Sequence, residues 1–218
     1  MPPATALAPQ ERRTQAERRA TTRAALLDAA LATLVEQGAA GFTTTSVCRR
    51  AGLSQGALFK HFPTKDDLLA AVSEHLFDEL RDDYDQRFHD LPDPERTVAR
   101  AIDLLWVAMG DPRLHAAYDL YTAARTDDTL RTSLAPVVTA HVERLHALGN
   151  ELLADLGVAP SPRTAATIDL AILSMQGLML NAMVSPFATS AARDRLARIL
   201  PELGSQLLLD PIPTVGDH

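Results

Sequence analysis

Apolar residues recur at three- and four-residue intervals along most of the chain, the spacing of one buried face of an α-helix. The first stripe is Leu27, Leu31, Leu34 and Val35. Just upstream, Thr14-Gln-Ala-Glu17 has the spacing of a capping box, in which each side chain satisfies a free backbone donor of the first turn. Gly38 is a plausible stop for this helix. Thr43-Thr44-Thr45-Ser46 can cap a short helix running to about Ala51, and Gly52-Leu53-Ser54 makes a turn with Ser54 as the next N-cap. The helix from Gln55 to about Phe62 ends at Pro63. Thr64 then caps a longer helix to about His89, with Leu68, Leu69, Val72, Leu76 and Leu80 available for packing.

Beyond Pro92 the periodicity predicts helices over 94–109, 112–124, 128–156, 162–184 and 190–209. Pro94, Pro112 and Pro162 suit helix starts, whereas Pro136 and Pro201 should mark a kink or a restart. Helix 163–184 is apolar nearly all round and so must be covered on several sides. Leu196, Leu200, Leu203 and Leu207 form a stripe on the last helix. No run alternates with strand period, and no Asn-Gly or Asp-Gly turn separates two strand-like runs. The expected fold is all-α: a three-helix head at 14–64, a larger helical body at 65–210, an arm at 1–13 and a tail at 211–218.

Composition removes several classes. A single cysteine, Cys48, leaves no disulfide framework and no cysteine-based zinc site. The first residues lack the charged and apolar regions of a secretory signal. The most apolar stretch, Leu170 to Val184, contains Ser174, Gln176 and Asn181 and is too short and polar for a membrane span. A soluble cytoplasmic protein with no membrane partner is expected.

Charge sharpens the picture. The chain carries a net −7, yet residues 1–65 hold nine basic groups against four acidic, a net of +5. The remainder holds twelve basic against twenty-four acidic, a net of −12. A basic head on an acidic body lets the head meet a polyanion while the body is repelled from it. Two short helices joined by a tight turn form a helix-turn-helix, whose second helix presents its first residues to the major groove. Gln55 heads that helix and can read adenine, Gly56 and Ala57 add little bulk, and Ala57 can touch a thymine methyl. Leu58 and Phe62 face the small core. Lys60, His61 and Lys65 are placed for phosphates, and Arg12, Arg13, Arg18 and Arg19 could follow the backbone or enter a minor groove.

The run AALLDAALATLVEQGAAGFTTTSVCRRAGLSQGALFKHFPTKDDLLAAV resembles the DNA-binding domain of tetracycline-repressor-type (TetR-family) transcriptional regulators, over Thr14 to about Leu80. The resemblance rests on Gly41-Phe42-x-x-Thr45, then Ala51-Gly52-Leu53-Ser54-x-Gly56-x-Leu58-Phe59-x-His61-Phe62, then Lys65. It implies an all-helical homodimer of about nine helices that binds a palindromic operator in double-stranded DNA. It also implies repression, released by a small molecule held in the C-terminal domain. By position it assigns DNA contact to Thr44, Thr45, Gln55, Gly56, Ala57, Phe59, Lys60, His61 and Lys65. Phe59 stands where many members have a tyrosine, so a phosphate-binding hydroxyl is missing. Cys48 stands where a small alanine is usual and reads as a core residue. Dimerisation through 163–209, including Leu196, Leu200, Leu203 and Leu207, is implied in the same way; packing within the monomer would give the same periodicity.

An effector pocket calls for apolar and aromatic groups with a few polar ones, and the candidates are Trp106, Met109, Tyr118, Tyr121, Met175, Gln176 and Met179. The methionines suit an adaptable lining and a largely apolar effector. Gln176 and Asn181 need a partner, which could be a ligand, the other subunit or a backbone carbonyl. An enzyme finds little support. His141 and His146 are five apart with Glu143 between them, whereas the zinc-protease helix needs histidines four apart. There is no Gly-x-Ser-x-Gly elbow and no glycine phosphate loop. No cofactor and no metal are expected. The alternative to a ligand-released repressor is a DNA-binding organiser or co-regulator with the same head and no small ligand.

Overall fold

A computed structural model of the chain describes residues 14–155, 157–185 and 194–195. These residues form eight α-helices and a single 3-10 turn, with no strand among them: α1 (Gln15–Gly41), α2 (Thr44–Ala51), α3 (Gln55–His61), α4 (Lys65–His89), α5 (Val98–Met109), α6 (Pro112–Ala124), α7 (Asp128–Asp155) and α8 (Pro162–Val184). The ninth predicted helix, 190–209, with Leu196, Leu200, Leu203 and Leu207, lies outside the described residues apart from 194–195, as do Arg12 and Arg13 of the arm.

The helix starts follow from hydroxyl side chains. Thr14 and Glu17 form the reciprocal capping box at α1, with Thr14 Oγ1 accepting from the Glu17 amide at 3.2 Å and Glu17 Oε2 accepting from the Thr14 amide at 2.7 Å. Thr43 caps α2, Ser54 caps α3 and Thr64 caps α4, the last with Asp67 returning the bond. α1 is interrupted at Gly38, whose φ of 65° takes the chain out of helical geometry before a last turn ends at Phe42. Gly52 closes α2 in the left-handed region at φ 66°, and the following Leu53 amide donates to the Cys48 carbonyl at 3.0 Å.

One core runs from head to body. Leu26, Ala30 and Leu34 of α1 meet Val47, Leu58 and Phe62 of the head and Leu68, Val72 and Leu76 of α4. The same cluster continues through Phe77 and Leu80 to Leu114, Ala117 and Leu120 of α6 and to Leu130 and Leu134 of α7. α4 is therefore the spine, packing against α1, α5, α6 and α7. Its far end carries a second cluster of Tyr84, Phe88, Ala101, Leu148 and Leu152, where the Tyr84 hydroxyl donates to the Ala101 carbonyl at 3.1 Å.

The structure corrects several expectations. Val35 is 37% exposed, at the edge of the α1 stripe rather than within it. α5 begins at Val98, capped by Thr97, because Pro94 sits in the 3-10 turn Asp93–Glu95 instead of opening the helix. α7 runs through Pro136 as one helix; the proline faces outward, and Leu130 and Leu134 before it and Leu148 and Leu152 after it hold the helix to its neighbours. α8 has 23 residues, long and apolar enough to cross a membrane by length and composition. Two of its polar side chains find protein partners: Asp169 meets His146 Nε2 at 2.8 Å, and Asn181 donates to the Gly177 carbonyl at 2.8 Å.

Candidate nucleic-acid interface

α2 and α3 are joined by Gly52-Leu53-Ser54 and fixed against the core from one side only. Leu58 is fully buried and Phe62 is 3% exposed, each worth about 1.5–3 kcal/mol of burial, so the opposite face of α3 is presented outward. On that face Gln55, Gly56, Phe59 and Lys60 are exposed, Ala57 is half-buried, and Phe59 shows 43% of its surface. Gln55 Nε2 donates to Thr45 Oγ1 at 2.8 Å. This bond ties the head of α3 to the first turn of α2. A Cβ at Gly56 would meet only Ser54 Oγ, at 3.9 Å, so the protein itself does not demand glycine there. What the missing side chain provides is room for another molecule to reach the backbone.

The basic groups are arranged around this face. Lys65 opens α4, its ammonium 5.7 Å from the Phe42 ring centroid. Arg18, Arg19 and Arg23 stand on α1 and not on a loose arm, since the helix begins at Gln15. Arg23 lies over the Phe62 ring at 5.4 Å. Burial, then the charges of Arg19 and Arg23, push the His61 imidazole below its ordinary range, which makes it a neutral hydrogen-bonding group at neutral pH. Arg50 pairs with Glu36 and is partly neutralised, while Arg49 is exposed. Arg23 was missed from sequence; the signal was its four-residue spacing from Arg19 on one helix face. Thr44 is half-buried and Thr45 exposed at the start of α2. Cys48 is buried, which raises its thiol above the usual range and disfavours the thiolate.

The pocket candidates separate into two places. Met175 is fully buried with Ile102, and Trp106 and Met109 pack against them between α5 and α8. Met109 also reaches the main core, where Met179 and Tyr118 are buried. Tyr121 meets Tyr118 edge-on at 5.3 Å and faces a different feature, an open groove of about 390 Å³ with Arg125, Arg131, Leu134 and Val138. Gln176 is half-buried on α8. The Trp106 indole nitrogen is buried and has no hydrogen-bond partner among the described residues.

Fold and face together define a helix-turn-helix protein with a helical body. Residues 26–72 match the family of bacterial regulatory proteins of the tetR type, and residues 92–202 match the tetracyclin repressor-like C-terminal domain. An uncharacterized HTH-type transcriptional regulator of Mycobacterium tuberculosis is 31% identical over 134 residues, 62% of this chain and 69% of that protein. The HTH-type transcriptional regulator CymR of Pseudomonas putida is 36% identical over 128 residues, covering 59% and 63% of the two chains. In fold, the chain is similar to the transcriptional regulator FadR from Bacillus subtilis in complex with stearoyl-CoA, with a TM-score of 0.58 at 14% identity, over 87% of this chain and 99% of that one. The chain belongs to the TetR family and is a DNA-binding transcriptional regulator, not an enzyme.

Proposed function

We propose that the protein is a cytoplasmic, homodimeric repressor released from a palindromic operator by a small, largely apolar molecule. The observation that carries the DNA contact is the outward edge of α3, with Gln55 tied to Thr45, Lys60 exposed on the same helix, Arg23 over Phe62 and Lys65 by Phe42. Gln55 and Ala57 read bases; Thr44, Thr45, Lys60, His61 and Lys65 hold phosphates; Gly56 admits the groove edge; Phe59 packs on sugar or a methyl group in place of a hydroxyl contact. Residues 14–64 are the reading head and 65–210 the ligand-binding and dimerising body.

Dimerisation is supported by α8, where Leu173, Leu180 and Val184 are exposed along one face, with Leu170 and Met183 beside them. Gly177 lies between Leu173 and Leu180, with open space at its Cβ position, and a second helix can approach closely there. The effector reading is supported by Trp106, whose buried indole N–H has no acceptor among the described residues and which packs in a cluster with Met175 and Met109. A buried donor without an acceptor costs about 1–3 kcal/mol, and an effector with one acceptor on an apolar body would relieve it. That observation favours the ligand-released repressor over the ligand-free organiser. The effector acts by shifting α4, the helix shared by head and body, and it must prefer the non-binding state to do so.

The test is a mobility shift with DNA flanking the protein's own gene, against scrambled DNA, at several salt concentrations. A specific shift that weakens steeply with salt is expected. Equal binding to scrambled DNA, or affinity indifferent to salt, contradicts the assignment.

A further inference from the structure

We propose that Asp28, His75 and Glu79 form a binding site for a divalent first-row transition-metal ion of the zinc type, between the head and the spine of the fold. His75 and Glu79 lie one turn apart on α4, and Asp28 reaches them from α1. His75 Nε2 is 3.1 Å from Glu79 Oε1 and 3.3 Å from Asp28 Oδ1, and the three ligand atoms all lie within 4.8 Å of one another. In a tetrahedral site with metal–ligand bonds of about 2.0–2.1 Å, neighbouring donors stand roughly 3.3–3.4 Å apart. Two of the three edges are thus at or near the required length, and the third, between the two carboxylates, is no longer than 4.8 Å. The fourth position faces water, since the Asp28 side chain is exposed.

Three further features fit an ion better than a plain ion pair. The backbones are held in place: Leu27 and Ala29 flank Asp28 and are buried, as are Leu76 and Leu80 around the α4 donors. The remaining oxygen of Glu79, Oε2, accepts from Arg113 Nη1 at 2.8 Å, which turns Oε1 toward His75 and supplies the kind of outer hydrogen bond that fixes a ligating carboxylate. The same guanidinium also binds Asp83 and Asp111, so acidic groups outnumber basic ones around the site. An imidazole with two carboxylates selects zinc, manganese, iron or nickel over magnesium or calcium, which take oxygen. His89 with Asp85 and His146 with Asp169 each join a single carboxylate; among the described residues only Asp28, His75 and Glu79 gather three donors. Sequence spacing does not reveal the set, because Asp28 is 47 residues from His75.

The experiment uses the full chain, stripped with a chelator and titrated with Zn²⁺ against a fluorescent competitor, with Co²⁺ absorption as a second readout. One ion per chain is expected, with Kd of about 1 μM or tighter. His75→Ala and Asp28→Asn should each weaken binding at least about tenfold and abolish the tetrahedral Co²⁺ bands. His89→Ala should change neither. Asp28 is exposed, so Asp28→Asn tests the site even if His75→Ala perturbs packing. Absence of stoichiometric binding, or binding that survives both substitutions, overturns the proposal.

Discussion

His141 gives the structure a calculable dependence on pH. Its imidazole stacks on Phe77 with ring centroids 3.8 Å apart and planes 14° from parallel, at the contact between α7 and the spine helix. Burial, then the charges of Arg81 and Arg144, push its pKa down to about 4, with Asp78 opposing them. Asp78 cannot offset the two arginines, because it accepts hydrogen bonds from both, at 3.1 Å from Arg81 and 2.7 Å from Arg144. An unfolded histidine titrates near 6.5. Below that pH the unfolded chain takes up a proton that the folded chain refuses, so stability is full above about pH 6.5 and falls as pH drops toward 4. The slope approaches about 1.4 kcal/mol per pH unit, which gives roughly 2 kcal/mol between pH 8 and pH 5. For a chain of this size that is about 6 °C in Tm. The assay is thermal unfolding at pH 8 and pH 5 for the wild type and His141→Phe, which keeps the stacked ring and removes the titration. The loss of Tm on acidification should be about 6 °C smaller in the variant. An equal loss in both proteins would refute the assignment of the pH dependence to this ring.

Other expectations follow from single contacts. Arg113 donates to Glu79 and Asp83 on α4 and to Asp111, each at 2.8 Å, so Arg113→Ala should cost about 2 kcal/mol in urea unfolding and loosen α6 from the spine. Gly52→Ala forces a side chain into the left-handed region and should cost about 1–2 kcal/mol by the same measurement. Leu173→Glu, at a position 63% exposed on the apolar face of α8, should leave the monomer fold intact by circular dichroism and shift sedimentation from dimer to monomer.

The parts of the fold legible in the sequence are those whose cause is local. Thr14, Thr43, Ser54 and Thr64 announced four helix starts because a cap is one hydroxyl and a backbone amide three residues away. The outward edge of α3 was legible for the same reason: with Leu58 and Phe62 committed to the core, helical periodicity alone turns Gln55, Phe59 and Lys60 outward. Pro136 misled, because a proline removes one hydrogen bond, while the leucines on either side of it retain long-range packing that no local rule weighs. The candidate effector residues were the least legible. Tyr121 and Trp106 belong to different faces of the body, and which apolar groups share a space depends on how α5, α6, α7 and α8 meet. The Phe77–His141 stack and the Arg113 clamp join residues 64 and 34 positions apart and have no signature in spacing.

In the proposed complex the exposed start of α3 reads bases while the cations of the head hold phosphates. Fluorescence anisotropy of operator binding, across a panel of single-base substitutions, for the wild type, Gln55→Ala and Lys65→Ala separates the two roles. Gln55→Ala should flatten the preference at one base pair in each half-site, losing about 1–3 kcal/mol of discrimination there. Lys65→Ala should weaken every sequence alike and reduce the salt dependence. A Gln55→Ala profile identical in shape to the wild type, or a Lys65→Ala profile with altered base preference, would contradict the account.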